Sequence, residues 1–328
     1  MRDSCGIVIK NCLLTIPVSE ANPCPLTPDP LNEVTERNEM KKIAIFMLFG
    51  QSNAVGHAMP MNEEDIIKEP LKNVWGLNRE PNQSYDTEKL KFTGYTSFGM
   101  NLAETQDNTY SIANCLAKRW QNDIDSGVEL PDLYIIHIAI GSQGVTGMWD
   151  PKRAPKMIRG KLGDCDISMY PLAIHVLTLF KKYMEANNLT PDYVGIHWRG
   201  GEQETDYPVS KLETFLKDTY LEIFGGIRSA IGCDAPIVFH RFPFNKVFAN
   251  RDKEDGGTRL QSMHYINDTF DVLAKEMTNA SVYDVRTCPL YDEYAWDCNI
   301  FRWDLIHYQG RVNDYVAGEI LKEYKERK

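Results

Sequence analysis

Residues Ile43 to Gly56 read IAIFMLFGQSNAVG, and the reading of this stretch decides the fold. Ile43 to Phe49 are apolar without a break, and Gly50-Gln51-Ser52-Asn53 follows at once. An unbroken apolar run ended by glycine predicts a strand buried on both faces of a parallel sheet. The polar tetrapeptide then falls where the strand's carboxyl end opens into a loop, the place where open α/β sheets bind ligands. A serine held there by rigid backbone, facing a crevice, has what a nucleophile needs. The plainer alternative is that Ser52 only caps the helix that follows, as serine commonly does.

Working outward, four more strands are expected: Leu133–Ile140, Tyr193–Trp198, Pro236–His240 and Ser281–Val285. Helical apolar spacing is expected over Ser111–Gln121, Tyr170–Ala186, Val209–Ile231, Arg259–Met277 and Arg311–Lys325. Strands alternating with helices imply right-handed crossovers and a mainly parallel, five-stranded sheet covered on both faces. Met59 to Thr105, rich in proline, asparagine and charge, reads as a long loop with short elements over the sheet's carboxyl end. Residues 1–40 read as an extension, with four prolines between Asn22 and Pro30. The globular domain is therefore expected over 41–328.

Among the 328 residues, 36 basic against 46 acidic side chains give a formal net charge of −10. That argues against a nucleic-acid partner, whose phosphates are met by lysine and arginine. Eight scattered cysteines without a CxxC pair argue against a zinc site, and no metal or other cofactor is expected. Cys288 and Cys298 are near enough in sequence for a local bridge, although free buried thiols are the more usual state in so long a chain. No apolar run approaches a membrane span. The first twenty residues make a poor signal peptide, because Asp3, Lys10 and Asn11 interrupt it. That favours the cell interior, whereas a polysaccharide substrate would suit secretion, so the compartment stays open, as does the oligomeric state.

The chemistry is expected where Trp303-Asp304-Leu305-Ile306-His307 meets Ser52. A carboxylate three residues ahead of a histidine can fold back and hold the Nδ1–H of its ring. The other ring nitrogen is then left to take a serine proton. Acyl transfer also needs N–H donors aimed at the developing oxyanion, and the natural candidates are the backbone of Ser52 and of Gly141.

Four blocks, in order, carry a resemblance. They are Gly50-Gln51-Ser52-Asn53, the loop 141–149 ending in Trp149, Trp198-Arg199-Gly200-Gly201-Glu202, and Asp304 with His307. Together they resemble the SGNH-type hydrolases over residues 43 to 326, and more narrowly the sialate O-acetylesterase and acetylxylan esterase branch. The absence of a G-x-S-x-G elbow sets the chain apart from ordinary α/β-hydrolases. The resemblance implies a three-layer, flavodoxin-like α/β/α sandwich that hydrolyses O-acetyl esters on a carbohydrate. Ser52 is then the nucleophile, His307 the base and Asp304 its orienting partner. Gly141 matches the second oxyanion donor, with Ser142 and Gly144 as rivals.

The chain departs from that pattern at Gly200, where relatives carry a glutamine that supplies a third oxyanion contact. Arg199 or Gln203 could reach the same place. Arg199 could instead hold an acidic sugar's carboxylate. Gln51, Asn53 and Glu202 complete the expected substrate-binding set, with Asn53 pinning the nucleophile loop and Glu202 weighted toward a structural hydrogen bond. Of Trp149, Trp198, Tyr291, Tyr294, Trp296 and Trp303, one or two are expected to stack on sugar rings. Two other readings stand beside the esterase. One is a carbohydrate-binding module that has lost catalysis, motivated by Gly200. The other is a glycosidase using two of Glu202, Glu204 and Asp206.

Overall fold

The apolar run at the start of the sequence forms β1 (Lys41–Gly50), in which every residue from Ile43 to Phe49 is fully buried. It runs parallel to β4 (Asp132–Ala139) on one side and to β7 (Leu189–Arg199) on the other. The computed structural model describes residues 40–56, 62–77, 92–104, 110–153, 156–157, 166–243 and 258–327. Apart from Met40, the expected extension lies outside the described residues, as do Cys5, Cys12, Cys24 and Cys165.

Among the described residues the sheet has seven strands, not five. Beyond β4 lie β2 (Val74–Leu77) and β3 (Phe92–Gly94), and beyond β7 lie β8 (Ile237–Arg241) and β9 (Ala280–Asp284). The order is β3-β2-β4-β1-β7-β8-β9, and among these described pairs only β2–β3 is antiparallel. The two extra strands come from the segment expected to be a loop. With four and three residues, and a glycine in each, they are too short to show a period. A separate two-stranded ribbon joins β5 (Lys156–Met157) to β6 (Asp166–Ile167).

Alternation along β1 divides the core between two faces. Ile43, Ile45, Met47 and Phe49 face α3 (Met169–Ala186), α4 (Val209–Leu212), α5 (Leu216–Ile231) and α6 (Thr258–Glu276). Ala44, Phe46 and Leu48 face α2 (Ile112–Asp125) and α7 (Gly310–Glu326). The architecture is thus an α/β/α sandwich. Truncating a ring such as Phe46 to alanine here costs about 3–5 kcal/mol.

Helix boundaries have local causes. The Ser111 hydroxyl accepts the Asn114 N–H while the Asn114 side chain caps Ser111 in return, so α2 begins where the sequence predicts. The expected single helix over Val209–Ile231 is two, because the Thr214 hydroxyl donates to Lys211 O at 2.7 Å and competes with the helical ladder. Cys288 and Cys298, both buried, form no bridge with each other.

Strand order reverses about β1, and the carboxyl ends of β1, β4 and β7 lie level there. Gly50 pairs with Ala139 on one side and with Arg199 on the other. Three loops, 51–53, 141–149 and 200–206, leave the sheet at this switch point, which is where a crevice opens in such folds.

Candidate active site

The first loop is set by a close approach of two strands. Gly50 has φ +139°, and a Cβ there would stand 1.9 Å from Arg199 O, so only glycine lets β1 end against β7. The chain then turns into α1 (Ser52–Val55). Ala54 and Val55 both donate back to Gln51 O, at 2.9 and 3.0 Å. Ser52 N–H therefore precedes the first bonds of the turn and takes no part in them, as with other helix-start donors. From β4, His137 Nε2 donates to Ala54 O at 2.9 Å and fixes the turn from below. Burial pulls that imidazole's pKa down to about 3, so the ring is neutral.

The last loop is built around one carboxylate. Asp304 Oδ2 meets His307 Nδ1 at 2.9 Å, while Oδ1 accepts the N–H groups of Ile306 and His307, each at 2.9 Å. Burial pushes this carboxyl up, but the backbone donors and the imidazole outweigh it. The net pKa is below the ordinary aspartate value. Arg302 N–H to His307 O, at 2.8 Å, closes the loop at its base.

These loops meet. Ser52 and His307 line one cleft of about 210 Å³, together with Gln51, Ser142, Glu202, Gln203, Asp206, Arg259 and Ile306. The joint is Asn53. Its Nδ2 donates to Glu202 Oε1 at 2.8 Å and to Ile306 O at 3.2 Å, and its Oδ1 accepts Tyr308 N–H at 3.2 Å. One buried amide so ties the serine turn, the end of β7 and the histidine loop together. A larger groove of about 680 Å³ lies between α2 and the start of α7. Four of the charges that line it are paired, Lys118 with Asp65 and Arg119 with Asp314.

Several expected residues stand elsewhere than the sequence suggests. Gly141 N–H is taken by Glu104 Oε2 at 2.7 Å, so it is not offered to an oxyanion; its rival Ser142, at φ +59°, lines the cleft. Gly144 is packed behind, where a Cβ would collide with the Glu204 carboxylate at 2.1 Å. Arg199 is 3% exposed and does not reach the cleft. Its Nη1 donates to Asn313 Oδ1 at 2.6 Å and to Asn53 O at 3.2 Å, and its guanidinium stacks on Tyr308 at 4.4 Å. The expectation that it binds a substrate carboxylate is withdrawn on that burial.

Glu204 is fully buried and accepts Thr146 N–H, the Thr146 hydroxyl and Gln51 Nε2, at 2.9, 2.8 and 3.0 Å. Burial raises its pKa against those bonds, and it faces no cleft. It cannot be a glycosidase carboxylate. Its role is to moor loop 141–149 beneath the serine turn. Glu202 and Asp206 do line the cleft, but in the company of Ser52, and Asp206 is paired with Arg259 Nη1 at 2.6 Å.

Gly200 has little room for a larger side chain, since a Cβ would lie 3.1 Å from Trp198 and 3.3 Å from Gln51 Cγ. Of the aromatics, Trp149 and Trp198 are core, packed edge to face at 5.2 Å, whereas Tyr294, Trp296 and Trp303 are exposed. Sequence reasoning missed His137, Glu104 and Asn313, which act only through partners distant in sequence.

No family model matches the chain, and no curated protein does. Among solved structures, that of NanS is similar, with a TM-score of 0.56 at 12% identity over 88% of this chain and 99% of that one. At that identity the likeness is one of fold.

Proposed function

We propose that the protein is a serine esterase that removes O-acetyl groups from a carbohydrate through an acyl-enzyme. The observation that carries this reading is that Ser52 and His307 line one cleft while Asp304 holds the far side of the imidazole. Ser52 Oγ bonds to the acetyl carbon as its proton passes to His307 Nε2. The carbonyl oxygen, now negative, is met by the backbone N–H of Ser52 and, in place of Gly141, that of Ser142. The carbon–oxygen bond to the sugar then breaks, and the proton on Nε2 goes to the departing sugar oxygen. Water, deprotonated by the same nitrogen, releases acetate and restores Ser52. The Gln203 side chain, on the cleft wall, is the remaining candidate for the contact that relatives make from position 200.

Resemblance of the four sequence blocks and the α/β/α fold support the reading independently of the cleft. The test is hydrolysis of p-nitrophenyl acetate with titration by a serine-directed phosphonate. Ser52→Ala is expected to lose both hydrolysis and labelling, and full activity in that variant would sink the proposal. A binding module without catalysis, the reading that Gly200 motivates, would neither hydrolyse the ester nor take the phosphonate.

A further inference from the structure

The excursion between β9 and α7 carries three large aromatic side chains on its outside. Tyr294 is 87% exposed, Trp296 58% and Trp303 75%. Soluble proteins seldom expose several large rings on one short stretch of chain unless something covers them. The rings are not on a loose tail. Val285, Cys288, Cys298, Ile300, Phe301, Tyr308 and Val312 form a small core beneath them.

Two loops stand on this core. Asp292 N–H to Cys298 O, at 3.1 Å, closes the loop that bears Tyr294 and Trp296. Arg302 N–H to His307 O, at 2.8 Å, closes the one that bears Trp303. The stem of the second is the Phe301–Tyr308 bridge with Gln309 N–H to Ile300 O at 2.8 Å, and Gln309 Nε2 ties it to the first by donating to Asp297 Oδ2 at 3.3 Å. Cys298, Asn299 and Leu305 are all held at positive φ, 53°, 58° and 58°, conformations that persist only where the surroundings over-determine them. Trp303 is thus fixed beside Asp304, one turn of chain from the His307 that lines the cleft.

We propose that Tyr294, Trp296 and Trp303 form a stacking platform for an uncharged polysaccharide. One acetylated unit enters the Ser52–His307 cleft while neighbouring units of the same chain lie on the rings. The apolar C–H faces of pyranose rings match flat aromatic faces, and their hydroxyls suit the polar residues between the rings. Charge favours the neutral polymer. Glu202 and Asp206 line the cleft, its Arg259 is already paired with Asp206, and the loop that bears Tyr294 and Trp296 carries Asp292, Glu293 and Asp297. The cation at the rings, Arg302, lies 5.8 Å from the Trp303 centroid and is itself 3.8 Å from Asp304. With a net charge of −10 besides, a polyanion is repelled. The delivery of an ester to Ser52 rests on the esterase reading; the platform itself does not.

The experiment is affinity electrophoresis of the full chain in gels containing acetylated glucomannan, acetylated xylan or, as the acidic control, acetylated pectin. Wild type and Ser52→Ala are expected to be retarded alike by at least one neutral polymer and not by pectin. Trp303→Ala should weaken that retention roughly tenfold, while Trp303→Tyr keeps most of it. The Tyr294→Ala/Trp296→Ala/Trp303→Ala variant should abolish it, with thermal midpoints and circular dichroism reporting on the fold. For active protein, the ratio of kcat/KM on the polymer to that on p-nitrophenyl acetate should fall roughly tenfold in Trp303→Ala. Absence of retention by both neutral polymers, equal retention of the triple variant, or stronger retention by pectin would overturn the platform. Retention without any Ser52-dependent hydrolysis would leave the platform standing and remove the esterase reading.

Discussion

Asp304 Oδ2 lies 2.9 Å from His307 Nδ1 while the other oxygen of that carboxylate takes two backbone N–H groups of the same loop. One side chain therefore sets both the ring's orientation and the backbone that carries it. Asp304→Asn should keep the loop's shape but lose the anion that steadies a protonated imidazole. Hydrolysis of p-nitrophenyl acetate is expected to fall by roughly two to four orders of magnitude. The same residue makes a stability prediction. Its folded pKa is depressed, so its contribution is present above the unfolded value near ~3.9 and is lost as pH falls through the lower folded value. Denaturant titrations below about pH 4 should show a shallower acid loss in Asp304→Asn than in wild type.

Asn53 should separate positioning from binding. Its amide spans Glu202, Ile306 O and Tyr308 N–H, and alanine there leaves the buried Tyr308 N–H unpaired and takes a donor from the partly buried Glu202 and Ile306 O. The cost is about 1–3 kcal/mol for each group that water cannot reach. Because Asn53 joins the serine turn to the histidine loop, kcat should fall more than KM rises in Asn53→Ala. A rise in KM alone would show the amide meeting substrate instead.

The central strands were legible as apolar runs, and the polar motifs flanking them were the reason to expect Ser52 and His307 at one place; both line the same cleft. Asp304 needed only its spacing from the histidine. What could not be read depended on partners brought in by tertiary packing. Gly141 looked like a donor until Glu104, 37 residues earlier, took its N–H. Arg199 looked exposed because it ends a strand beside glycines. Alternation along β7 turns it to the α7 face, where Asn313 waits 114 residues later. Nothing local announces either encounter.

Glu204 is expected to matter for stability and loop order, not as a reacting group. Glu204→Ala strands the Thr146 N–H and the Gln51 amide, at about 1–3 kcal/mol for each donor left unpaired. Burial raises its folded pKa, so its contribution is fully present below the unfolded value near ~4.3 and declines as pH rises through the folded one. Glu204→Gln should lack that decline. Stability measured from pH 4 upward will therefore be flatter in the variant, although lower in absolute terms.

Arg199 provides the sharpest contrast between the two readings of one residue. Were it a carboxylate anchor, its loss would raise KM for acidic acetylated sugars and spare neutral ones. Its guanidinium is instead enclosed by Asn313, the Asn53 carbonyl and the Tyr308 ring. Arg199→Ala must leave two buried acceptors unpaired and a void beneath the histidine loop, at about 3 kcal/mol or more. The expected result is a lower thermal midpoint with activity reduced in equal proportion on acidic and neutral esters. Arg199→Lys keeps the charge but not the fork that meets both acceptors, so it should recover only part of the stability. Charge-selective kinetics in either variant would return Arg199 to the cleft.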